Sequence, residues 1–207
     1  HEGGLWIAML TQGLAYLPPD WKRFSTWYQL DGKPLDSVYL LSVAAAGDDY
    51  YIAGAHGVYQ LDAAGHLRQI AAEAQIGVGA VRAVLPRADG MLWLGRAGRL
   101  GLFDPRSGRL REWKIGGGSD VLQRIELIRQ APNGELWLSI TSYGLQRRDA
   151  QGNLLESIRI GDGLPDVPVE QMVFDPHGQL WIMGDMGDLG DMGLLRWHNG
   201  SFQRVPG

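Results

Sequence analysis

Residues 163–184 read GLPDVPVEQMVFDPHGQLWIMG and contain two predicted strands separated by a tight turn. The first strand is the apolar run at residues 169–174. The second, at residues 180–182, is Leu-Trp-Ile, a combination of aromatic and β-branched residues that is typical of strands. Between them, Asp-Pro-His-Gly at residues 175–178 forms a turn, because proline presets its own φ and glycine closes the turn. Two strands joined in this way predict a β-hairpin.

The Leu-Trp-Ile segment of this hairpin recurs along the whole chain. A large aromatic residue occupies its centre at positions 6, 51, 93, 137 and 181, with separations of 45, 42, 44 and 44 residues. A period in the low forties with four short strands per unit is typical of a β-propeller blade. We expect the recurring aromatic residues to pack between blades rather than to touch a ligand. These anchors are Trp6, Tyr51, Trp93, Trp137 and Trp181.

The sequence therefore predicts an all-β propeller of about five antiparallel blades, each with four strands lettered a to d. The anchor lies on strand b, and the first blade begins there, so it lacks its innermost strand a. An open ring would leave unpaired strand edges, which soluble proteins avoid. We expect the chain to be a segment of a larger propeller, or to be completed by another copy. The predicted blades of this single domain, residues 1–207, span about residues 1–30, 36–70, 80–115, 122–160 and 168–205.

The composition excludes several classes of function. The chain has 207 residues and a net charge of −4, whereas a general nucleic-acid binder carries a basic footprint. It contains no cysteine, which excludes disulfides, thiolate catalysis and cysteine-type zinc sites. No apolar segment is long enough to span a bilayer. No cofactor is expected.

The repeat resembles a known family in its last two blades above all. Blade five runs from Gly-Leu-Pro through a valine-rich strand to Asp-x-x-Gly-x-Leu-Trp-Ile and then Gly-Leu, and this order is similar to the two-component regulator propeller repeat. The likeness covers essentially the whole chain and is weaker in blade two, where Tyr51 replaces tryptophan. The resemblance implies a non-catalytic periplasmic sensor region. Its parent protein would be membrane-anchored and dimeric, usually a hybrid histidine kinase or a diguanylate cyclase.

Ligands of propellers usually bind at one end of the central channel, on loops held by the rigid ring. We expect this end to be the one formed by the b–c and d–a loops. Residues 82–114 hold eight Lys or Arg against three acids, and the Arg96 and Arg99 pair could bind a carboxylate, phosphate or sulfate, although a solvated basic face is the simpler interpretation. A small molecule or oligosaccharide is the expected ligand. The neutral candidate residues around the same channel mouth are Tyr143, Ser142, Thr141, His56 and Gln12.

The b–c loop of blade five is five residues longer than that of blade four and carries three carboxylates, Asp185, Asp188 and Asp191. Several oxygen ligands suit Ca²⁺. However, the alternating acidic positions and the bidentate glutamate of an EF-hand are absent. We therefore favour a solvated loop over a metal site, and no metal is predicted.

Two other functions stay open. A propeller enzyme of the streptogramin-lyase type would need a histidine with a nearby acid at the channel mouth, acting as base and partner. Only His56 lies in a b–c loop, and it has no acidic neighbour in sequence. The other alternative is a protein-interaction or dimerisation scaffold, for which the candidate surface aromatics are Trp21, Trp27 and Trp113.

Overall fold

A computed structural model describes residues 5–9, 13–17, 29–30, 33–34, 40–116, 123–161, 164, 169–184, 193–198 and 200–205. The chain divides into two compact units, residues 1–36 and residues 37–207. The described part of the first unit consists of two antiparallel hairpins. Trp6 lies on the first strand of the first hairpin and pairs with Tyr16. The strands are β1 (Leu5–Met9), β2 (Gly13–Leu17), β3 (Gln29–Leu30) and β4 (Lys33–Pro34).

The second unit contains four antiparallel sheets of four strands each, and the strands of every sheet are neighbours in chain order. The predicted four-stranded blades are therefore confirmed. We number these sheets as blades two to five. Blade two is β5 (Leu40–Ala46), β6 (Asp49–Gly54), β7 (Gly57–Leu61) and β8 (Leu67–Ala72), and blade three is β9 (Ala83–Pro86), β10 (Leu92–Arg96), β11 (Arg99–Asp104) and β12 (Arg109–Lys114). Blade four is β13 (Ile125–Gln130), β14 (Leu136–Ile140), β15 (Gly144–Arg148) and β16 (Leu154–Arg159), and blade five is β17 (Val169–Phe174), β18 (Leu180–Gly184), β19 (Gly193–His198) and β20 (Ser201–Arg204).

Aspartates organise the turns at one end of the blades. The Asp175 carboxylate accepts the backbone N–H of His177 at 2.9 Å, and Asp149 accepts that of Gln151 at the same distance. Such contacts stabilise the turn locally, and Gly178 completes its turn with a φ of 80°. A hydrogen bond from the Trp181 indole N–H is the main cause that lowers the pKa of Asp175.

The core of the second unit lies between successive blades and forms three clusters, each of which combines residues of two neighbouring blades. Trp93 is fully buried and Trp137 is nearly so, and the half-buried Tyr51 packs against the first cluster. Trp181 is half-buried, and its indole Nε1 donates to Asp175 at 2.9 Å. Each anchor pairs with one residue of the adjacent strand c: Tyr51 with Gln60, Trp93 with Leu102, Trp137 with Arg147, and Trp181 with Arg196.

The connection between blades two and three contains a short helix, α1 (Glu73–Ile76). Gly77 ends it with a φ of 83°, and its N–H donates to the Glu73 carbonyl at 2.7 Å. No helix in the described ranges has the length and the apolar character needed to cross a membrane.

Candidate functional site

The innermost strand carries a β-bulge at one repeated position. The first strands of successive blades contact one another, which places them nearest the axis. In blades two, four and five their pairing with strand b shifts by one residue, and the extra residues are Leu41, Glu126 and Glu170. A bulge changes the direction of a side chain and is frequent next to functional sites. The sequence position is regular as well, because Glu126 and Glu170 each lie 11 residues before their anchor.

Arg82 occupies the corresponding position of blade three, 11 residues before Trp93. Its backbone N–H donates to the Gly95 carbonyl at 2.8 Å, which places the residue at the start of strand a. Its Nε donates to Oε1 of Glu126 at 2.9 Å, so residues at corresponding positions of two neighbouring blades form an ion pair. The side chains of Arg82 and Glu126 are 24% and 34% exposed, and the pair is therefore accessible from solvent.

Two further groups contact the same carboxylate oxygen of Glu126. The Thr141 hydroxyl donates to Oε1 at 3.1 Å, and the Arg124 guanidinium Nε lies 3.4 Å from it. The backbone N–H of Thr141 donates to the Arg124 carbonyl at 2.9 Å, which joins the b–c turn of blade four to the start of its strand a. We call Arg82, Arg124, Glu126 and Thr141 the bulge cluster. It presents two guanidinium groups, one carboxylate and one hydroxyl.

The structure gives Arg96 a role other than the predicted one. Arg96 is 8% exposed, and its guanidinium donates to the carbonyl of Ile76, to that of Val78 at 3.0 Å, and to Glu112 at 3.1 Å. Burial lowers the pKa of Arg96, and the opposing effect of Glu112 does not restore it. These contacts fix the connection after α1 to blade three. The Arg96 guanidinium is therefore engaged within the protein, and the structure does not present Arg96 and Arg99 as a free arginine pair.

Arg99 keeps a more exposed side chain, at 39%, and its Nη1 lies 3.9 Å from Oε2 of Glu112. The b–c connection of blade three is a tight turn, since β10 ends at Arg96 and β11 begins at Arg99. Arg96 and Arg99 are register partners on either side of this turn.

The three predicted neutral residues of blade four separate in space. Thr141 joins the bulge cluster. Ser142 is exposed and, within the described ranges, is the non-glycine residue with a positive φ, at 57°. Tyr143 is half-buried, its hydroxyl donates to Oγ of Ser157 at 3.2 Å, and the Arg159 guanidinium lies 5.5 Å from its ring centre.

His56 has an acidic neighbour that its sequence surroundings do not show. Its Nδ1 lies 3.7 Å from Oε1 of Glu73 on α1, and both side chains are more than a third exposed. This distance is longer than a hydrogen bond. Gln12, Trp21, Trp27, Asp185, Asp188 and Asp191 lie outside the described residues. Trp113 is half-buried against Trp93, with ring centres 5.4 Å apart. In the described part of the chain, no three His, Asp or Glu side chains are grouped so that they could hold a metal ion.

The sequence matches no protein-family model and no curated protein. Similar solved structures include two extracellular domains from B. thetaiotaomicron. One belongs to a proposed hybrid two-component system, with 20% identity and a TM-score of 0.68 over 99% of this chain and 27% of that chain. The other belongs to a proposed one-component system, with 14% identity and a TM-score of 0.69 over 99% of this chain and 26% of that chain. The fold is a β-propeller.

A gluconolactonase from Xanthomonas campestris shares the propeller fold, with 18% identity and a TM-score of 0.60 over 83% of this chain and 62% of that chain. The chain spans about a quarter of the length of the two extracellular domains. Those domains come from the class of protein to which the repeat resemblance points, and the propeller that the resemblance implies is confirmed.

Proposed function

We propose that the chain is a non-catalytic ligand-sensing propeller module on the periplasmic side of a membrane-anchored, dimeric bacterial signalling protein. The observation that carries the proposal is the bulge cluster, because it places charged and hydroxyl side chains at the beginning of the innermost strands and in a b–c turn, at the channel end expected to bind a ligand. The repeat resemblance and the extracellular-domain neighbours support the sensing role.

The bulge cluster suits a small polar ligand that presents several hydroxyl groups, such as an oligosaccharide. Guanidinium groups donate hydrogen bonds in a fixed geometry, and a carboxylate accepts them. The cluster is already ordered by its internal contacts, so little side-chain freedom is lost when a ligand binds. Glu170 adds an exposed carboxylate on blade five, and it has no ion-pair partner within the described ranges.

We expect Glu126→Gln to weaken ligand binding by about tenfold to a hundredfold, since it removes a charged acceptor worth about 1.5–3 kcal/mol. A thermal-shift screen with oligosaccharides and small metabolites would find the ligand, because a ligand that binds the folded state raises its apparent stability. Calorimetric titration of the hit would then measure the affinity of the chain and of the variant.

The matched control is Glu156→Gln. Glu156 has nearly the same exposure as Glu126, at 36% against 34%, and also forms an ion pair, with Arg147 at 3.4 Å, but it lies on an outer strand. Equal losses of ligand affinity in Glu126→Gln and Glu156→Gln would show that the bulge cluster is not the binding site. The same conclusion would follow if neither Glu126→Gln nor Arg82→Gln changed the affinity for the ligand. A screen without a hit, together with tight binding to a second propeller, would support the interaction scaffold instead.

A propeller enzyme is the second candidate, and the closeness of His56 and Glu73 favours it. A carboxylate beside a histidine stabilises the protonated ring during general base catalysis. If the chain hydrolyses a sugar lactone, we expect His56→Asn to reduce the rate by about a hundredfold or more. Measured hydrolysis that is the same in the chain, in His56→Asn and in a buffer blank would eliminate this candidate.

A further inference from the structure

Strand c of blade four carries polar residues in positions that the other blades fill with apolar ones. The register with strand b aligns Arg148 with Leu61 of blade two, Phe103 of blade three and Trp197 of blade five, one residue after the partner of each anchor. Two residues earlier, Gln146 aligns with Tyr59, Gly101 and Leu195. These two residues differ from the equivalent residues of the other blades, and they are polar where a core is normally apolar. Such exceptions are frequent at functional sites.

Arg148 and Gln146 are both buried, at 2% and 1% exposure. Nε and Nη2 of Arg148 donate to Oε1 of Gln146 at 3.1 and 2.8 Å, and Nη2 also donates to the Lys114 carbonyl at 2.9 Å. Nη1 donates to the Gly152 carbonyl at 2.8 Å. Gln146 donates in turn to the Ile115 carbonyl. The pair therefore joins blade four to the end of blade three.

Within the described ranges the guanidinium of Arg148 forms no ion pair, and the carboxylate that acts on it electrostatically is that of the adjacent Asp149. Arg82 and Arg96 each contact a glutamate, whereas no carboxylate in the described ranges lies within ion-pair distance of Arg148. Burial lowers the pKa of Arg148, but an arginine stays protonated in proteins. A buried charge without an opposite charge is strongly destabilising. An anionic ligand would supply an ion-pair partner.

A cleft opens at this point between blades three and four. Its volume is about 320 Å³, close to the lower limit for small-molecule sites. None of the described residues that line it is acidic. The lining combines two cations with an aromatic and aliphatic wall, and the residues used here are Arg148, Lys114, Trp113, Tyr143, Asn153 and Leu154.

We propose that this cleft binds a small organic carboxylate, whose charged group lies against Arg148 and Lys114 and whose carbon skeleton lies against Trp113 and Tyr143. Four hydrogen bonds occupy four of the five guanidinium N–H groups, so one N–H of Nη1 remains to meet the ligand. One N–H and one ammonium suit a singly charged carboxylate better than a phosphate, which needs more donors. The site is separate from the bulge cluster and does not depend on the sensing role.

Calorimetric titration of the 207-residue chain with benzoate tests the proposal. We expect benzoate to bind, the uncharged benzamide to bind at least about tenfold more weakly, and added salt to weaken benzoate binding. Inorganic phosphate is the competing anion. Phosphate binding that equals benzoate binding and also depends on Arg148 would overturn the carboxylate in favour of a general anion site. Absence of benzoate binding at millimolar concentration would overturn the site itself.

Arg148→Met should abolish benzoate binding, because it removes the guanidinium N–H that we propose meets the carboxylate. Thermal denaturation without ligand shows whether the variant is folded. The control is Arg129→Met. Arg129 is also partly buried and donates to the Met172 and Ile128 carbonyls, both at 2.9 Å, but does not line the cleft. Equal effects of the two substitutions on benzoate binding would overturn the proposal.

A second variant covers the case in which Arg148→Met does not fold. Lys114 is exposed, so Lys114→Ala should leave the fold intact and weaken benzoate binding severalfold. Its benzoate affinity should also depend less steeply on salt than that of the unchanged chain. Benzoate affinity and salt dependence that Lys114→Ala leaves unchanged would contradict the proposed position of the carboxylate.

Discussion

Replacing Trp93 by alanine should lower the free energy of unfolding by about 3–5 kcal/mol, the usual range for a large aromatic side chain removed from a core. Trp93 is fully buried within the cluster shared by blades three and four. Its ring centre lies 5.4 Å from that of Trp113, and the Arg87 guanidinium lies 5.6 Å from it. The substitution would therefore leave a cavity between two blades. Urea denaturation of the chain and of the variant measures the loss.

Trp181→Ala is the matched control, because Trp181 holds the same repeat position and is only half-buried. We expect it to lose clearly less stability than Trp93→Ala, since less apolar area is removed from the core.

Trp93→Phe separates the effect of side-chain volume from the effect of the indole N–H group. The indole Nε1 of Trp93 is buried without a hydrogen-bond partner within the described ranges, so phenylalanine removes an unsatisfied donor together with part of the ring. Equal losses for Trp93→Ala and Trp181→Ala would show that the anchors do not stabilise the blades through burial.

The anchor spacing predicted the blades well because it depends on local rules. An aromatic residue in a half-buried strand, preceded by a turn rich in Asp and Gly, is readable within about ten residues of sequence. These features require no knowledge of which strands become neighbours in space.

The contacts of the candidate site could not be predicted in the same way, because the partners are distant in sequence. The contact of Arg82 with Glu126 spans 44 residues, and that of Arg96 with Ile76 spans 20. Two arginines separated by two residues look equivalent in sequence, yet Arg96 is buried and Arg99 is 39% exposed. The sequence carries one regular signal of this site: charged residues stand 11 positions before three consecutive anchors.

The burial of Arg148 could not be predicted from its neighbours in sequence either. In sequence, Arg148 lies in the charged segment Arg147-Arg148-Asp149 at the end of a strand, and such a segment is expected to be exposed to solvent. The strand register shows instead that Arg147 pairs with the anchor Trp137 and that Arg148 occupies the buried row. Aligning strand c of all blades by their anchors would have exposed the exception, because the aligned residues Leu61, Phe103 and Trp197 are apolar.

Gly57→Ala should destabilise the chain by about 2–5 kcal/mol, the sum of a left-handed backbone strain and an overpacking term. Gly57 begins strand c of blade two with a φ of 134°, a conformation that side chains rarely adopt. A Cβ added there would lie 2.0 Å from the Ala71 carbonyl oxygen. That oxygen is backbone of β8, the strand paired with β7, so it cannot move aside without disturbing the sheet. Gly144 begins strand c of blade four under the same restriction, 2.3 Å from the Ile158 oxygen.

Gly47→Ala isolates the steric part of this effect. Gly47 belongs to the same blade and has a φ of 61°, but no atom lies within 4 Å of an added Cβ. The free energy of unfolding of Gly47→Ala should therefore fall only by the cost of the backbone strain, about 1–2 kcal/mol. Urea denaturation of Gly57→Ala, Gly144→Ala and Gly47→Ala compares the three, and the first two should lose distinctly more than the third. A loss for Gly57→Ala no larger than that for Gly47→Ala would mean that the blade relaxes around the added methyl group. Glycine at the start of strand c would then be required by its backbone conformation alone, and not by the close approach of strands c and d.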